Sequence, residues 1–522
     1  MKIKVVSEKF FVHDVLSNGG RNLILRGKYK ISSFGREDKL VGHDDNIVRP
    51  AKPGYGTGRK FLAVLIFISS LCLLSFLGCG FLPDIRDMAA RQDLTEAPPS
   101  VAGPSGPLSM KESHALINRL RQDAGPTDLL SRHITIVETL SGQPLIAGNK
   151  VTLLCDGPET FTAMSEAIEK SKDHINLETF IIRDDEVGRP LADLLIRKQQ
   201  EGVRVNIIYD SFGAKKTPKE FFERMKANGL NVLEFNPVRF LDLLSWGDAN
   251  NRDHRKILVV DGKIAFTGGI NFYRVYSKSS SSVLWGEKDP QLKYYWRDTH
   301  VQVEGPAVWE FQRLFLETWR SQGGPEILGS EYFPRLEKEG DSLVRVIASS
   351  PDQPISNIYA AYISAIAHAE KSIHLTHAYL VLESGMLKAI ADAAMRGVSV
   401  KIILPDFSDF WMPFHAARAN YSELLKSGVR LYERKGALLH SKTAVIDGVW
   451  STVGSSNMDV RSFLHDYEIN AVVLGKDFGE KMERVFEYDL SKSDEVIPEQ
   501  WEKRPLSDRV KERAAWLFRY WL

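Results

Sequence analysis

Six residues recur in one spacing. The first copy reads His254, Lys256, Asp261, Gly268, Gly269 and Asn271; the second reads His440, Lys442, Asp447, Gly454, Ser455 and Asn457. On a β-strand, residues at i and i+2 project from the same face, so each pair presents an imidazole and an ammonium together while the following "ILVVD" or "TAVID" enters the core. Both heads can then converge on one small anion. A single histidine and lysine so spaced means little, because solvent-edge histidines and snorkelling lysines are common. Two copies matching through the asparagine, each at the same place in a longer repeat, point to one joint active site.

The elements that must carry these residues repeat as well. "FTAMSEAIEKSKDHINLETFIIRDDEVGRPLADLLIRKQQEGVRVNIIYD" runs from Phe161 to Asp210, and "AAYISAIAHAEKSIHLTHAYLVLESGMLKAIADAAMRGVSVKIILPD" from Ala360 to Asp406. Each reads as helix, strand, second helix, a Gly-Val pair and an apolar strand. A helix ending at "NGLNVLEF" or "SGVRLYER" then precedes each histidine motif. The matching order predicts a duplication, and the alternation of helices and strands predicts an α/β sandwich in each half. Two lobes, 109–335 and 336–522, are expected to pack face to face about a pseudo-twofold axis and so bring the two motifs together.

At 522 residues the chain is too long for one ordinary core. Its composition, 43% hydrophobic and 26% charged, is that of globular material, and a formal charge of +1 argues against a nucleic-acid partner. Residues 1–60 form a basic extension, with 13 Lys or Arg against 6 Asp or Glu, suited to an anionic surface. Phe61 to Leu82 is a run of 22 residues without a charge. As a helix it would reach about 33 Å, enough to cross a bilayer's hydrocarbon core as a transmembrane helix or signal anchor. Arg49, Lys52, Arg59 and Lys60 precede the run and only Arg86 and Arg91 follow closely, which predicts a cytoplasmic N-terminus and a body outside. "FLGC", ending at Cys79, leaves a lipoprotein anchor as the alternative. Residues 83–108, rich in Pro, Gly and Ser, read as a linker, and "SMKESHALINRL" from Ser109 reads as the helix that resumes the fold.

The chain resembles the phospholipase D superfamily, whose signature is a paired HxKxxxxD motif, and within it the bacterial cardiolipin synthases. "NRDHRKILVVDGKIAFTGGIN", "YWRDTHVQVEGPAV", "RGVSVKIILPDFSD", "YSELLKSGVRLYER" and "LLHSKTAVIDGVWSTVGSSNMDVRSF" carry the resemblance, which covers about residues 145–522. Three features depart from those synthases. Tyr379-Leu380-Val381 lacks their usual proline, "HSK" replaces "HAK", and one apparent span with an outward body replaces two adjacent spans with an inward-facing one.

The resemblance implies a catalytic set of His254, Lys256, Asp261, His440, Lys442 and Asp447, with His254 as nucleophile and His440 as general acid. Lys256, Asn271, Lys442 and Asn457 are the expected phosphate holders. Asp298 and Glu468 are the expected carboxylates behind the imidazoles. The residues alone read Asp261 and Asp447 differently: a carboxylate at the far end of a buried strand, before Gly, ties down a turn. His300, His377 and His465 share no repeated spacing and read as satisfied structural groups. No cofactor is needed, and no zinc spacing is present.

The expected reaction transfers a phosphatidyl group from one phosphatidylglycerol to another, releasing glycerol, at the inner membrane of a bacterial cell. A hydrolytic phospholipase D is the alternative, followed by a phosphodiesterase nuclease and a noncatalytic membrane protein. The expected partners are anionic phospholipids, above all phosphatidylglycerol, and the membrane itself. The aromatic stretches Phe235 to Asn250 and Phe407 to His415 suit acyl chains or the membrane interface as well as core packing. "VKERAAWLFRYWL" at the C-terminus reads as an amphipathic helix that docks on the body or on lipid.

Overall fold

The computed structural model describes residues 82, 100–125, 127, 129–237, 250–280, 295–327 and 329–522. The basic extension, nearly all of the apolar run, residues 83–99 of the linker and most of the first aromatic stretch lie outside the described residues. Among those described, no helix is long and apolar enough to cross a membrane.

Seven strands build the first half: β1 (Leu145–Cys155), β2 (His174–Thr179), β3 (Arg204–Asp210), β4 (Asn231–Phe235), β5 (Lys256–Val260), β6 (Ile264–Gly268) and β7 (Thr299–Glu304). Seven more build the second: β8 (Ser342–Ser349), β9 (Ser372–His377), β10 (Ser399–Pro405), β11 (Arg430–Arg434), β12 (Lys442–Ile446), β13 (Trp450–Gly454) and β14 (Asp466–Leu474). Pairing runs β1-β7-β6-β5-β2-β3-β4 in the first half. It runs β8-β14-β13-β12-β9-β10-β11 in the second, with the same senses throughout. In each half the parallel strands are joined through helices, such as Gly188–Gln200 between β2 and β3 and Ser384–Met395 between β9 and β10. β2, β5 and β12 are buried at every position, as expected for strands covered on both faces; β5 and β12 are largely apolar after their lysine, whereas β2 alternates buried polar residues, His174, Asn176 and Glu178, with Ile175 and Leu177. The fold is mixed α/β with one large, continuously paired sheet system.

The halves share a core. Ile146, Val151, Ile257, Val259, Ala265, Val301 and Val303 from the first pack with Val344, Val346, Val445, Val453, Ile469 and Ala471 from the second. β1 also pairs with β8, at Asn149 with Ser342 and Ile146 with Val344. Two short pairings cross the halves beside the site: Arg252 with Asp466, and Trp296 with Leu438.

The N-terminal part of the body departs from the expected boundaries. Ser109 caps the helix Met110–Ala124 in a capping box with Glu112, as its sequence predicts. That helix and the next, Ile134–Ser141, nevertheless send Ile117, Leu120, Ile134 and Val137 into the core of the second half, beside Ile347, Ile366 and Trp450. The linker read over 83–108 is ordered strand from Val101. Val101–Gly103 runs parallel to the start of β1 and pairs back on Gly106–Pro107, a turn that Gly106 permits with φ 103°. Val101 is buried and Ala102 and Leu108 pack against the core, so a few apolar residues anchor a segment whose composition otherwise reads as tether. At the other end, the helix Leu506–Trp516 docks along the helix Trp411–Arg418, with Ala515 and Leu522 against Val381 and Ala416.

Candidate active site

Each histidine stands just before a hairpin, and each lysine is the first residue of its buried strand. β2 lies antiparallel to β5 with Thr179 opposite Lys256, and β9 lies antiparallel to β12 with His377 opposite Lys442. The carboxyl ends of the parallel strands therefore meet the histidine ends of the hairpins, the usual place for a ligand site in such sheets.

The carboxylates cross between halves. His254 Nδ1 lies 2.9 Å from Oε1 of Glu468, which belongs to the second half. His440 Nδ1 lies 2.7 Å from Oδ2 of Asp298, which belongs to the first. An ionised carboxylate only accepts, so wherever Asp298 and Glu468 are ionised each Nδ1 carries the proton and each Nε2 is left for chemistry. Lys256 Nζ donates to the carbonyl of His254 at 2.6 Å, and Lys442 Nζ donates to the carbonyl of His440 while standing 3.1 Å from its Nδ1. The Phe180 ring meets His254 edge-on with centroids 4.9 Å apart, and Trp296 lies 4.9 Å from the His440 ring.

Burial sets the charges. It drives the His254 imidazole well below its ordinary range, and the charges of Lys256 and Lys442 push the same way. The same causes hold His440 down to about 3 against the pull of Asp298. Each lysine thus acts on the histidine of the other half as well as its own. Burial lowers Lys256 to about 7 and Lys442 to about 8, opposed chiefly by Glu468 for the first and Asp298 for the second. The two carboxylates part company. Burial raises Glu468 to about 7 despite Lys256 and Ser455, whereas Asp298, equally buried, is held below the usual carboxylate range by His440, Lys442 and the N–H of Thr299.

Asp261 and Asp447 are not at this site. Five residues of strand separate each from its histidine motif's start. Asp261 accepts from the N–H groups of Lys172, Asp173 and His174 at 2.9, 2.8 and 3.0 Å. Asp447 accepts from Glu370, Lys371 and Ser372 at 2.9, 2.8 and 2.9 Å. Both carboxylates, implied as catalytic by the resemblance, here close turns at the far ends of their strands. Asn271 sits at the site with its side-chain Oδ1 accepting from the N–H of Ile181 at 3.1 Å, while the side-chain Oδ1 of Asn457 is buried with no hydrogen-bond partner among the described residues. His300 and His377 are fully buried and neither ring nitrogen of either has a hydrogen-bond partner among the described residues, so they are not the satisfied groups their lack of pattern suggested.

Two residues escaped the sequence reading. The Tyr276 hydroxyl lies 2.9 Å from His440 Nδ1, and the Ser455 hydroxyl donates to Glu468 Oε2. Ser455 carried a signal, since it stands where the first motif has Gly269. Tyr276 carried none. His254, Asp466 and Glu468 each offer a ligand atom within 4.8 Å of the others, but both Glu468 oxygens are already engaged by His254 and Ser455.

The sequence profile described as "Cardiolipin synthase, PLD-like domain" matches residues 164–294 and 362–490, one match over each histidine motif's half. The cardiolipin synthase of Geobacillus kaustophilus is 35% identical over 376 residues, 71% of this chain and 72% of that protein. Cardiolipin synthase 2 of Bacillus cereus is 36% identical over 363 residues, 69% of this chain and 68% of that protein. Among solved structures, phosphatidylserine synthase from Haemophilus influenzae Rd KW20 aligns with a TM-score of 0.53 at 15% identity, covering 78% of this chain and 100% of that one, a likeness of fold. With paired histidines, crossed carboxylates and relatives of this extent, the chain belongs to the cardiolipin synthase family with phospholipase D-like domains, and is a phosphatidyltransferase of the phospholipase D type.

Proposed function

We propose that the enzyme makes cardiolipin from two molecules of phosphatidylglycerol through a phosphohistidine on His254, in a site formed between two duplicated lobes about a pseudo-twofold axis. The crossed pairs His254–Glu468 and His440–Asp298 carry this reading, because they leave two Nε2 atoms available to one phosphorus. His254 Nε2 attacks phosphorus, the bond to the glycerol oxygen breaks, and His440, neutral in the free site and taking up a proton as the phosphodiester anion joins Asp298 beside it, gives its Nε2 proton to the leaving alkoxide. Neutral His440 then takes the proton of the second phosphatidylglycerol's hydroxyl, whose oxygen attacks phosphorus and frees His254. Atoms balance as two phosphatidylglycerols in, cardiolipin and glycerol out. Lys256, Lys442 and the amide groups of Asn271 and Asn457 hold the nonbridging oxygens.

The role assignment has physical support beyond family likeness. An acid must pass through the imidazolium, and His440 has the strongly ionised carboxylate behind it, with Tyr276 also at its Nδ1. His254 is held neutral by burial and by Lys256 and Lys442, and with Glu468 ionised above about 7 its Nε2 is the free, nucleophilic nitrogen. Attachment through Phe61 to Leu82 with the body outside the inner membrane completes the proposal, and a reporter fused after Leu522 reads that topology. Cytoplasmic reporter activity would reverse it.

The deciding experiment incubates purified protein with phosphorus-labelled phosphatidylglycerol in vesicles, with rapid acid or base quenching and products separated by mass. Cardiolipin with glycerol, and acid-labile label on the protein that His254→Ala removes, is the expected result. Phosphatidic acid alone would replace transfer by hydrolysis, and label found only on His440 would exchange the roles.

A further inference from the structure

The loops that follow β3 and β10 leave the carboxyl ends of equivalent strands, the end at which both histidine motifs lie. Each exposes aromatic side chains. Phe212 is 50% exposed on the first loop; Phe410, which ends the second, and Trp411, which begins the helix after it, are 54% and 49% exposed. Exposed Lys215 and Lys216 follow Phe212, with Lys215 Nζ 3.7 Å from the centre of the Phe212 ring.

Both loops are tied to the site. Asp210 accepts from the N–H groups of Phe212 and Gly213, each at 2.8 Å, and its other oxygen accepts from the N–H of Asp253 at 3.1 Å, next to His254. A Cβ at Gly213 would stand 2.0 Å from the carbonyl of Phe180, whose ring packs on His254. On the other loop, Asp409 lies close enough for its charge to act on Tyr379 and on Tyr276, the residue at His440. Lys216 in turn acts on Asp409, so the two loops face one another across the same end of the molecule.

We propose that Phe212, Phe410 and Trp411, with Lys215 and Lys216, form a rim that seats in the headgroup layer of an anionic phospholipid bilayer and delivers lipid directly to the site. The rings supply the apolar and quadrupolar contact favoured at a membrane interface, and the two ammonium groups select an anionic surface. Three large exposed rings beside a deeply buried polar site match a substrate whose acyl chains remain in the bilayer while its phosphate enters the protein. This deepens the proposed reaction and rests on it for the identity of the lipid.

The test uses the full chain in vesicles of phosphatidylcholine with and without phosphatidylglycerol. In a chain whose Cys72, Cys79 and Cys155 are serine, Phe410→Cys carries a polarity-sensitive dye. A blue shift only when phosphatidylglycerol is present is the expected reading, and it needs no turnover. A shift that follows protein density instead of lipid composition would overturn the proposal and make the rim a contact between copies. Separately, Phe212→Ser with Phe410→Ser and Trp411→Ser should slow turnover of bilayer phosphatidylglycerol by about tenfold or more while changing turnover of monomeric short-chain phosphatidylglycerol by less than about twofold. Equal loss on both substrates, or none on the bilayer, counts against the rim. If the unaltered enzyme turns over neither lipid, the reaction proposal falls, and the dye still decides whether the rim is seated.

Discussion

Gly269 and Ser455 occupy the same place in the two motifs, and each is matched to the carboxylate before it. A Cβ at Gly269 would stand 2.2 Å from Oδ1 of Asp298, so this position has no room for any side chain. Gly269→Ala should therefore displace Asp298 from His440 and lower kcat by about 100-fold, in the range of a lost acid–base contribution. Ser455→Ala should act mildly, since it removes one donor and adds no atom. Steady-state kinetics on folded variants check both, and a Gly269→Ala enzyme with near-normal kcat would refute the packing argument. The lysines add a pH prediction. Lys256 and Lys442 hold their protons below about 7 and about 8 and lose them as pH rises. Thus kcat/KM, which reports the free enzyme, should fall above pH 7 to 8. The alkaline limb of kcat should lie higher, because a bound phosphodiester anion favours both ammonium groups. Coincident limbs in the two profiles would show that the lysines do not titrate as described. The histidines and lysines were legible in the sequence because chemically competent types recur in one spacing, whereas Asp298 and Glu468, 44 and 28 residues after their motifs' histidines, were expected only from the family resemblance. The crossing of the carboxylates was not, since the position of Glu468, near His440 in sequence, points to the wrong histidine.

Between β5 and β6, and again between β12 and β13, an Asp-Gly pair turns the chain with positive φ at both residues: 52° and 62° at Asp261 and Gly262, 53° and 67° at Asp447 and Gly448. Asparagine and aspartate tolerate this region better than other side chains, and here each carboxylate also gathers three N–H groups where β2 or β9 begins. The turn thereby fixes β5 against β2 and β12 against β9, and with them the depth of each histidine and lysine. Asp261→Ala or Asp447→Ala should cost about 2–4 kcal/mol of stability, from backbone strain together with the lost acceptor. Activity per folded molecule should fall far less than for His254→Ala, as denaturant melts and kinetics on the native fraction would reveal. Loss of activity without loss of stability would return these aspartates to the chemistry. The repeat of helix and strand was readable throughout because the apolar periodicity is strong. Where it misled, a local reason is visible: Val101, with Ala102 and Leu108 packed beside it, holds a strand in a Pro- and Gly-rich stretch, and the helix Met110–Ala124 gives no sign in its own pattern of which half will cover its apolar face.

Neither half owns a complete site or a complete core. Each histidine depends on a carboxylate from the other half, β1 pairs with both β7 and β8, and helices that precede the first half fill the core of the second. The shared core of valines and isoleucines would be bared on both sides if the halves parted, exposing far more apolar surface than an ordinary interdomain contact tolerates. Most multidomain chains of this length melt in stages. This one should lose both halves of its body in a single transition, with activity disappearing at the same temperature. Asp261→Ala and Asp447→Ala provide the decisive comparison, because they weaken equivalent turns in different halves. If the halves are one cooperative unit, each substitution should lower the midpoint of the same calorimetric peak by a similar amount, and the double variant should lower it by about the sum, the turns sharing no partner. If the halves fold independently, each substitution will split the peak, moving one part and leaving the other in place. A split peak would mean that the crossed carboxylates join two separately stable lobes.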